Sequence, residues 1–252
     1  MLDLQLDGLN VKKCSGHGID IGGDEIGGTD YYASGSVKNS IVEYAAMNNY
    51  NGDRGGSGWQ SGLKISHNGK DIELSNNTIK NNWGEGVAIT RGENVTFKNN
   101  TIFNSYSVNI YIDNSINTIV DSNFAYCNDS SLILKDGKKA SGISVGEEFY
   151  TGWGNQMSTL KVFNNIVYNC SRGFTWYGTD TNAASGGLDN TIIANNTFYL
   201  LDNTSSAIYL DGEVGDDIEF KNNIIVSNAG AVWIDSAIGT YDFDYKSLGK
   251  FK

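Results

Sequence analysis

Short apolar-x-apolar triplets recur along the whole chain. They are Ile19-Asp20-Ile21, Leu63-Lys64-Ile65, Val87-Ala88-Ile89, Ile110-Tyr111-Ile112, Ile143-Ser144-Val145, Phe174-Thr175-Trp176, Ile208-Tyr209-Leu210 and Val232-Trp233-Ile234. Alternation over so few residues predicts short strands with one buried face. Nowhere does a 3.6-residue period persist, so almost no helix is expected. Between the triplets a second word returns: two polar residues, usually Asn-Asn, then an apolar pair, as in "NVTFKNNTIF" at residues 94–103. Aligning on its second asparagine picks out Asn77, Asn100, Asn123, Asn165, Asn196 and Asn223, with gaps of 23, 23, 42, 31 and 27 residues. The two equal gaps define a unit of 23 residues, and the longer ones read as that unit plus insertions.

A unit this short cannot bury its own apolar face. Stacked like on like, successive units share one continuous core and pair every strand with the coil above and below. At about 4.8 Å per coil, eight coils make a rod roughly 38 Å long. The NNTI, NNTF and NNIV turn words and the Gly-x-apolar-x-apolar strands resemble the right-handed parallel β-helix of the pectate-lyase-like superfamily, over about residues 4–239. The resemblance implies an all-β solenoid of about eight coils with an internal asparagine ladder, in which side-chain amides stack from coil to coil. Leu9 and Asn39 are expected at the rung position of the first two coils. Residues 1–240 then form a single domain and residues 241–252 a tail or partial cap. The superfamily spans lyases, hydrolases, epimerases, adhesins, tailspikes and plain binding proteins, so the resemblance implies a fold and leaves the function open.

Composition sharpens this picture. The 252 residues include 31 glycines and no proline, where about 12 prolines would be usual. Turns must therefore be made by Gly, Asn, Asp and Ser. A net charge of −11 argues against nucleic acid as a partner, because phosphate binding needs concentrated positive charge. No run of 18 apolar residues exists to span a membrane. No basic region followed by an apolar block opens the chain, and the expectation is a piece of a longer exported protein, extracellular or on the cell surface. Cys14, Cys127 and Cys170, odd in number and far apart, predict buried thiols rather than a disulfide framework. Asn76, Asn94, Asn99, Asn128, Asn169, Asn195 and Asn203 match N-x-S/T, but several arise because NNT is the turn word.

Function is expected where the repeat breaks. Two Gly-rich insertions, before Lys64 and around residues 143–145, carry Trp59 and Trp153, and Glu147 and Glu148 sit in the second. The middle residue of each triplet points outward, which places Tyr111, Tyr209 and Trp233 on one long face. Two residues further on lie Asp113, Tyr177 and Asp211, and His67 and Arg91 follow one step later. Aromatic side chains offer flat faces to sugar rings. Trp59, Tyr111, Glu147, Trp153, Tyr177, Tyr209, Asp211 and Trp233 are therefore candidate glycan-binding residues, and a polysaccharide is the candidate partner.

Lys64, His67, Arg91 and Asp113 are the catalytic candidates. What the β-helix resemblance implies for lyase chemistry is a base, taken by Lys64 or His67, and a cation for the sugar carboxylate, taken by Arg91. Solvated surface residues would give the same pattern. Asp211 and Asp235, on adjacent coils, are a second carboxylate pairing, of a spacing a retaining hydrolase uses. No ligand spacing defines a metal site and no cofactor is expected, although calcium is compatible with converging carboxylates. The competing class is a non-catalytic structural or adhesive solenoid that associates end to end.

Overall fold

The computed structural model describes residues 2–53, 60–148, 157–178, 188, 190–201, 206–211, 218–228, 230–234 and 241–247. The chain winds through three parallel sheets in turn. The first contains Leu2–Asp7, Ala33–Lys38, Gly69–Ser75, Glu93–Lys98, Ile116–Asp121, Ser158–Phe163, Thr191–Ala194 and Ile218–Ser227. The second runs from Asn10–Lys12 through Ile41–Glu43, Thr78–Lys80, Thr101–Phe103, Phe124–Tyr126 and Ile166–Tyr168 to Thr197–Leu200, and joins the first at Ile218–Ser227. The third has eight strands: Ile19–Ile21, Ser61–Ile65, Glu85–Thr90, Val108–Asp113, Ser141–Glu147, Phe174–Gly178, Ser206–Asp211 and Gly230–Ile234. Each triplet predicted from alternation lies in a strand of this third sheet. A small antiparallel hairpin, Asp24–Ile26 with Thr29–Tyr31, projects after the first coil. Tyr241–Ser247, expected as tail or cap, pairs in parallel with Ile218–Ser227, so stacking continues past the last triplet.

The two asparagines of the repeat word do different work. The first residue takes a left-handed backbone: Asn39, Asn76, Asn99, Ser122, Asn164, Asn195 and Asn222 have φ between 51° and 59°. Asparagine visits that region at less cost than other residues with a side chain. The resulting turn drives the second asparagine inward. Asn77, Asn100, Asn123, Asn165, Asn196 and Asn223 are all buried. The Oδ1 of Asn123 accepts the backbone N–H of Asn100 at 2.9 Å and its Nδ2 at 3.0 Å. The same pair of bonds joins Asn77 to Asn100, Asn123 to Asn165, Asn165 to Asn196 and Asn196 to Asn223. Each Nδ2 also donates to a first-sheet carbonyl, as Asn123 does to Phe97 at 3.0 Å. Toward the amino terminus the rung passes to Ser40, not to Asn39. The Ser40 N–H donates to Asn77 Oδ1 and its Oγ accepts the N–H of Leu9. Asn39 is the left-handed residue beside it.

Inside the triangle the apolar residues form one continuous core, from Ile19 and Val37 through Phe97 and Trp176 to Phe220. A glycine precedes most triplets because that position faces inward at a bend; a Cβ on Gly86 would sit 2.6 Å from Ile102 Cγ2 and 2.5 Å from the Asn109 carbonyl oxygen. Asn109 breaks this glycine column. It fits because Ala125 stands in the register where neighbouring coils carry Ile102 and Val167. Its Nδ2 donates to the Tyr126 carbonyl and lies 3.4 and 3.3 Å from the sulfurs of Cys127 and Cys170. Those two cysteines are joined as a disulfide, which corrects the expectation of unpaired thiols. Cys14 is free and packs against the core. Among the described residues no helix is long and apolar enough to cross a membrane.

Candidate functional site

The register of the third sheet sets Asp20, Lys64, Ala88, Tyr111, Ser144, Thr175, Tyr209 and Trp233 side by side, one per coil. Thr90, Asp113, Gly146, Tyr177 and Asp211 form the row two residues on. Parallel strands in register stack equivalent residues, so the outward residues form the two rows expected from the sequence. Their burial is a different matter. Tyr111 points out of the sheet yet is only 7% exposed. Gly146 explains this: it leaves room for the Tyr177 ring, whose Cζ would be 2.7 Å from a Cβ at that position. Tyr177 lies parallel to Tyr111, with centroids 6.2 Å apart and planes at 4°.

The two phenol hydroxyls are hydrogen-bonded to each other. Both oxygens also lie within hydrogen-bond distance of Glu148 Oε1, at 3.0 Å for Tyr111 and 2.9 Å for Tyr177, so the two phenol protons are shared among three contacts. Burial, and then the charges of Asp113 and Glu148, push both tyrosines above the ordinary phenol range, so both stay protonated. Asp113 is fully buried, and its Oδ1 accepts the Glu148 backbone N–H at 3.0 Å and Asn114 Nδ2 at 2.9 Å. Asp113 thus positions Glu148. Glu147 turns the other way and accepts the Met157 N–H at 3.0 Å.

Three positions earlier in each coil lies a row that alternation did not single out. Ser61 Oγ donates to Glu85 Oε2 at 3.0 Å, and His17 Nδ1 accepts the Ser61 backbone N–H at 2.9 Å. Burial pushes the Glu85 carboxyl up to about 7, against the opposing pull of Ser61 and Lys64. Burial and the Lys64 charge push His17 below the usual imidazole range. An acid held protonated near neutral pH, close enough to feel the charges of Glu148 and Asp113, has the form of a general acid. The raised value also has a stability consequence. Glu85 favours folding below its ordinary 4.5, and that contribution is lost as pH rises through about 7. Compared with Glu85→Gln, the natural protein is expected to lose melting temperature across that window. Parallel profiles for the two proteins would contradict a buried neutral acid.

Of the four catalytic candidates, Arg91 donates its backbone N–H to the Asp113 carbonyl at 2.8 Å and its charge acts on His67, while the charges of Lys64 and Asp113 both act on Glu85. The Lys64 charge acts on Glu85 and His17. His67 sits at the turn after its strand, pushed down by burial and by Arg91, and it faces the hairpin carboxylates Asp24, Glu25 and Asp30. Asp113 belongs with Glu148 and the tyrosines. Of the expected aromatic row, Tyr209 lies under the guanidinium of Arg172, 3.7 Å from its ring centroid, and Asp211 follows Tyr177 in register. Trp59, Trp153 and Asp235 lie outside the described residues, and Trp233 is placed by its backbone alone. Among the described residues no three His, Cys, Asp or Glu side chains converge as a metal site would require.

The open aromatic surface is on the second sheet. Phe103, Tyr126, Tyr168 and Tyr199 occupy one register across four successive coils. Phe103 stacks on Tyr126 with centroids 4.5 Å apart, and Tyr168 on Tyr199 at 5.5 Å. Phe124 and Ile166 lie alongside in the parallel row. These side chains face outward in strands whose middle residue is buried, and Phe124, Ile166 and Tyr168 are 38%, 47% and 41% exposed. The signal was present in the sequence: each of the four aromatics follows a ladder asparagine by three residues.

The sequence matches the family model for the right-handed β-helix region over residues 3–198. The chain belongs to the right-handed β-helix family. Comparison with curated protein sequences gives no significant match. Among solved structures the β-helix is similar to PfbA, a surface adhesin of Streptococcus pneumoniae, at TM-score 0.72 and 10% identity, covering 98% of this chain and 60% of that one. It is also similar to the Agl-KA catalytic domain, at TM-score 0.54 and 13% identity, covering 96% of this chain and 47% of that one. At such identities the likeness is one of fold, and the β-helix spans about half to three fifths of those chains. The aromatic row and the acid cluster around Glu85, Glu148 and Asp113 lie on different sheets of this β-helix.

Proposed function

We propose that this β-helix is an extracellular glycan-binding protein that lays a polysaccharide along its second sheet. The observation that carries the reading is the row Phe103, Tyr126, Tyr168 and Tyr199, partly or largely open to solvent on successive coils and widened by exposed Phe124 and Ile166. Contiguous exposed apolar surface of this kind marks a binding site. Because neighbouring rings stack on each other, the row presents a continuous apolar ridge with one step per coil, about 4.8 Å, against which the C–H groups of successive sugar rings can pack while their hydroxyls stay in water. The Cys127–Cys170 bridge supports an oxidising, extracellular setting. Affinity-gel electrophoresis against a panel of plant, algal and bacterial polysaccharides tests the reading. Retardation by at least one polymer is expected, and no retardation by any would overturn it.

A specific observation favours a second reading, in which a glycan is also cleaved at the third sheet. The Glu85 carboxyl, pushed up to about 7 by burial, keeps a substantial protonated fraction near neutral pH and feels the charges of Glu148 and Asp113, and glycoside hydrolysis needs one protonated and one ionised carboxyl. Tyr111 and Tyr177, held protonated, are poor bases for the lyase alternative. New reducing ends, lost in Glu85→Gln, are the expected product of this reading. Ultraviolet-absorbing unsaturated ends would establish lyase chemistry instead and sink it.

A further inference from the structure

The turn between the second and third sheets carries two insertions three coils apart. One holds the short 3-10 segment Met47–Gly52. The other includes residues 130–133. Between them lies a cleft of about 640 Å³, within the range of small-ligand pockets. Its floor comes from the two uninterrupted coils, through Asn81, Trp83 and Asn104, and its walls include Tyr50 and Leu132. Trp83 is nearly buried and stacks obliquely on half-exposed Tyr50, with centroids 4.9 Å apart. Tyr106 supports Trp83 from the other side at 6.1 Å. The aromatic wall is therefore braced rather than loose.

The polar groups are arranged to leave donors free. Asn104 spends its amide on the protein: Nδ2 donates to Asn81 Oδ1 at 3.1 Å and Oδ1 accepts the Asn128 N–H at 2.9 Å. Asn81 Oδ1 is thereby used, and among the described residues its Nδ2 has no partner. Lys13 also lines the cleft and is exposed, whereas its neighbours Lys12 and Lys80 are both paired with Glu43. No Asp or Glu is among the lining residues, on a chain of net charge −11. A concave site with a braced aromatic wall, an amide donor at Asn81 and an exposed cation with no carboxylate among the lining residues selects a polar ring that carries negative charge.

The geometry points to this cleft as a second carbohydrate site, one that takes the acidic terminal sugar of a glycan, with a ring face on Tyr50, hydroxyls on Asn81 and the acid group on Lys13. It shares no lining residue with the aromatic row, although Asn104 of its floor directly follows Phe103. Isothermal titration of the full chain with a glucuronate-terminated disaccharide, and with its neutral glucose counterpart, tests this. The acidic disaccharide is expected to bind more tightly than the neutral one. Tyr50→Ala should weaken both about 5–10-fold, the loss of one aromatic contact. Lys13→Gln should abolish the preference for the acid, and Ile26→Ala, exposed on the hairpin and outside both the cleft and the row, should change neither. Unchanged melting temperatures, expected for exposed positions, separate lost contacts from lost folding. Equal binding of both sugars, binding indifferent to Tyr50→Ala and Lys13→Gln, or no heat with either sugar would each overturn the assignment.

Discussion

Asn123→Ala should unfold at a markedly lower urea concentration than the natural protein, with a loss of about 2–4 kcal/mol. The side chain makes four ladder bonds: two accepted by Oδ1 from Asn100, and two donated by Nδ2 to Asn165 and Phe97. Alanine leaves the Asn100 N–H facing a buried gap that no other group fills. A buried donor without an acceptor costs its full desolvation, where a satisfied one nets only about 1 kcal/mol. The neighbouring position gives the control. Asn99 is exposed and has φ of 56°, a backbone that glycine adopts freely. Asn99→Gly should therefore shift the transition by no more than about 0.5 kcal/mol. Urea unfolding followed by circular dichroism separates the two. Equal losses at the two positions would mean that the second asparagine is not a rung.

This contrast also marks how far the sequence could be read. The 23-residue spacing located the rungs and the triplets because a solenoid turns sequence period into coil-to-coil contact. It misplaced the second coil's rung by one residue because Asn39 has the chemistry of a rung while Ser40 has the position. The disulfide was missed for a related reason. Cys127 and Cys170 are separated by 43 residues, which looks wide, but the ladder step from Asn123 to Asn165 is 42. The two sulfurs therefore fall within one residue of the same register on adjacent coils. Sequence distance is misleading in a fold where one insertion separates neighbours.

The site was less legible than the fold. Alternation gives the direction of a side chain and says nothing about what covers it. Tyr111 points outward as expected, yet Tyr177 lies over it because Gly146 offers no side chain in between. Glu85 is not legible from alternation because a glycine at a bend, Gly86, separates it from its triplet, and alternation fails across that bend. The aromatic row went unnoticed because its strands are only three or four residues long and read as parts of the asparagine turn. His67 and Arg91 sit together, with His67 in the field of the Asp24–Tyr31 hairpin, and the Arg91 backbone N–H reaches the Asp113 carbonyl at 2.8 Å.

The second large effect is expected on the row itself. Tyr126→Ala combined with Tyr168→Ala removes the two central rings of the four-coil register. At about 1 kcal/mol per aromatic contact, affinity for a retained polysaccharide should fall roughly 30-fold. Stability should change little, because Tyr168 is exposed and Tyr126 only partly buried. A Phe at both positions keeps the flat faces and should restore most of the binding, which distinguishes ring stacking from hydroxyl hydrogen bonding. The same pair of substitutions should leave any Glu85-dependent cleavage of short oligosaccharides intact, since that group lies on another sheet.

Whether the second sheet is a glycan platform is tested most directly by affinity-gel electrophoresis of the natural protein, the Tyr126→Ala/Tyr168→Ala variant and the corresponding Phe variant in one retained polysaccharide. The expected result is retardation of the natural and Phe proteins and free migration of the Ala variant, with all three melting alike. Equal retardation of all three would place binding elsewhere and contradict the account.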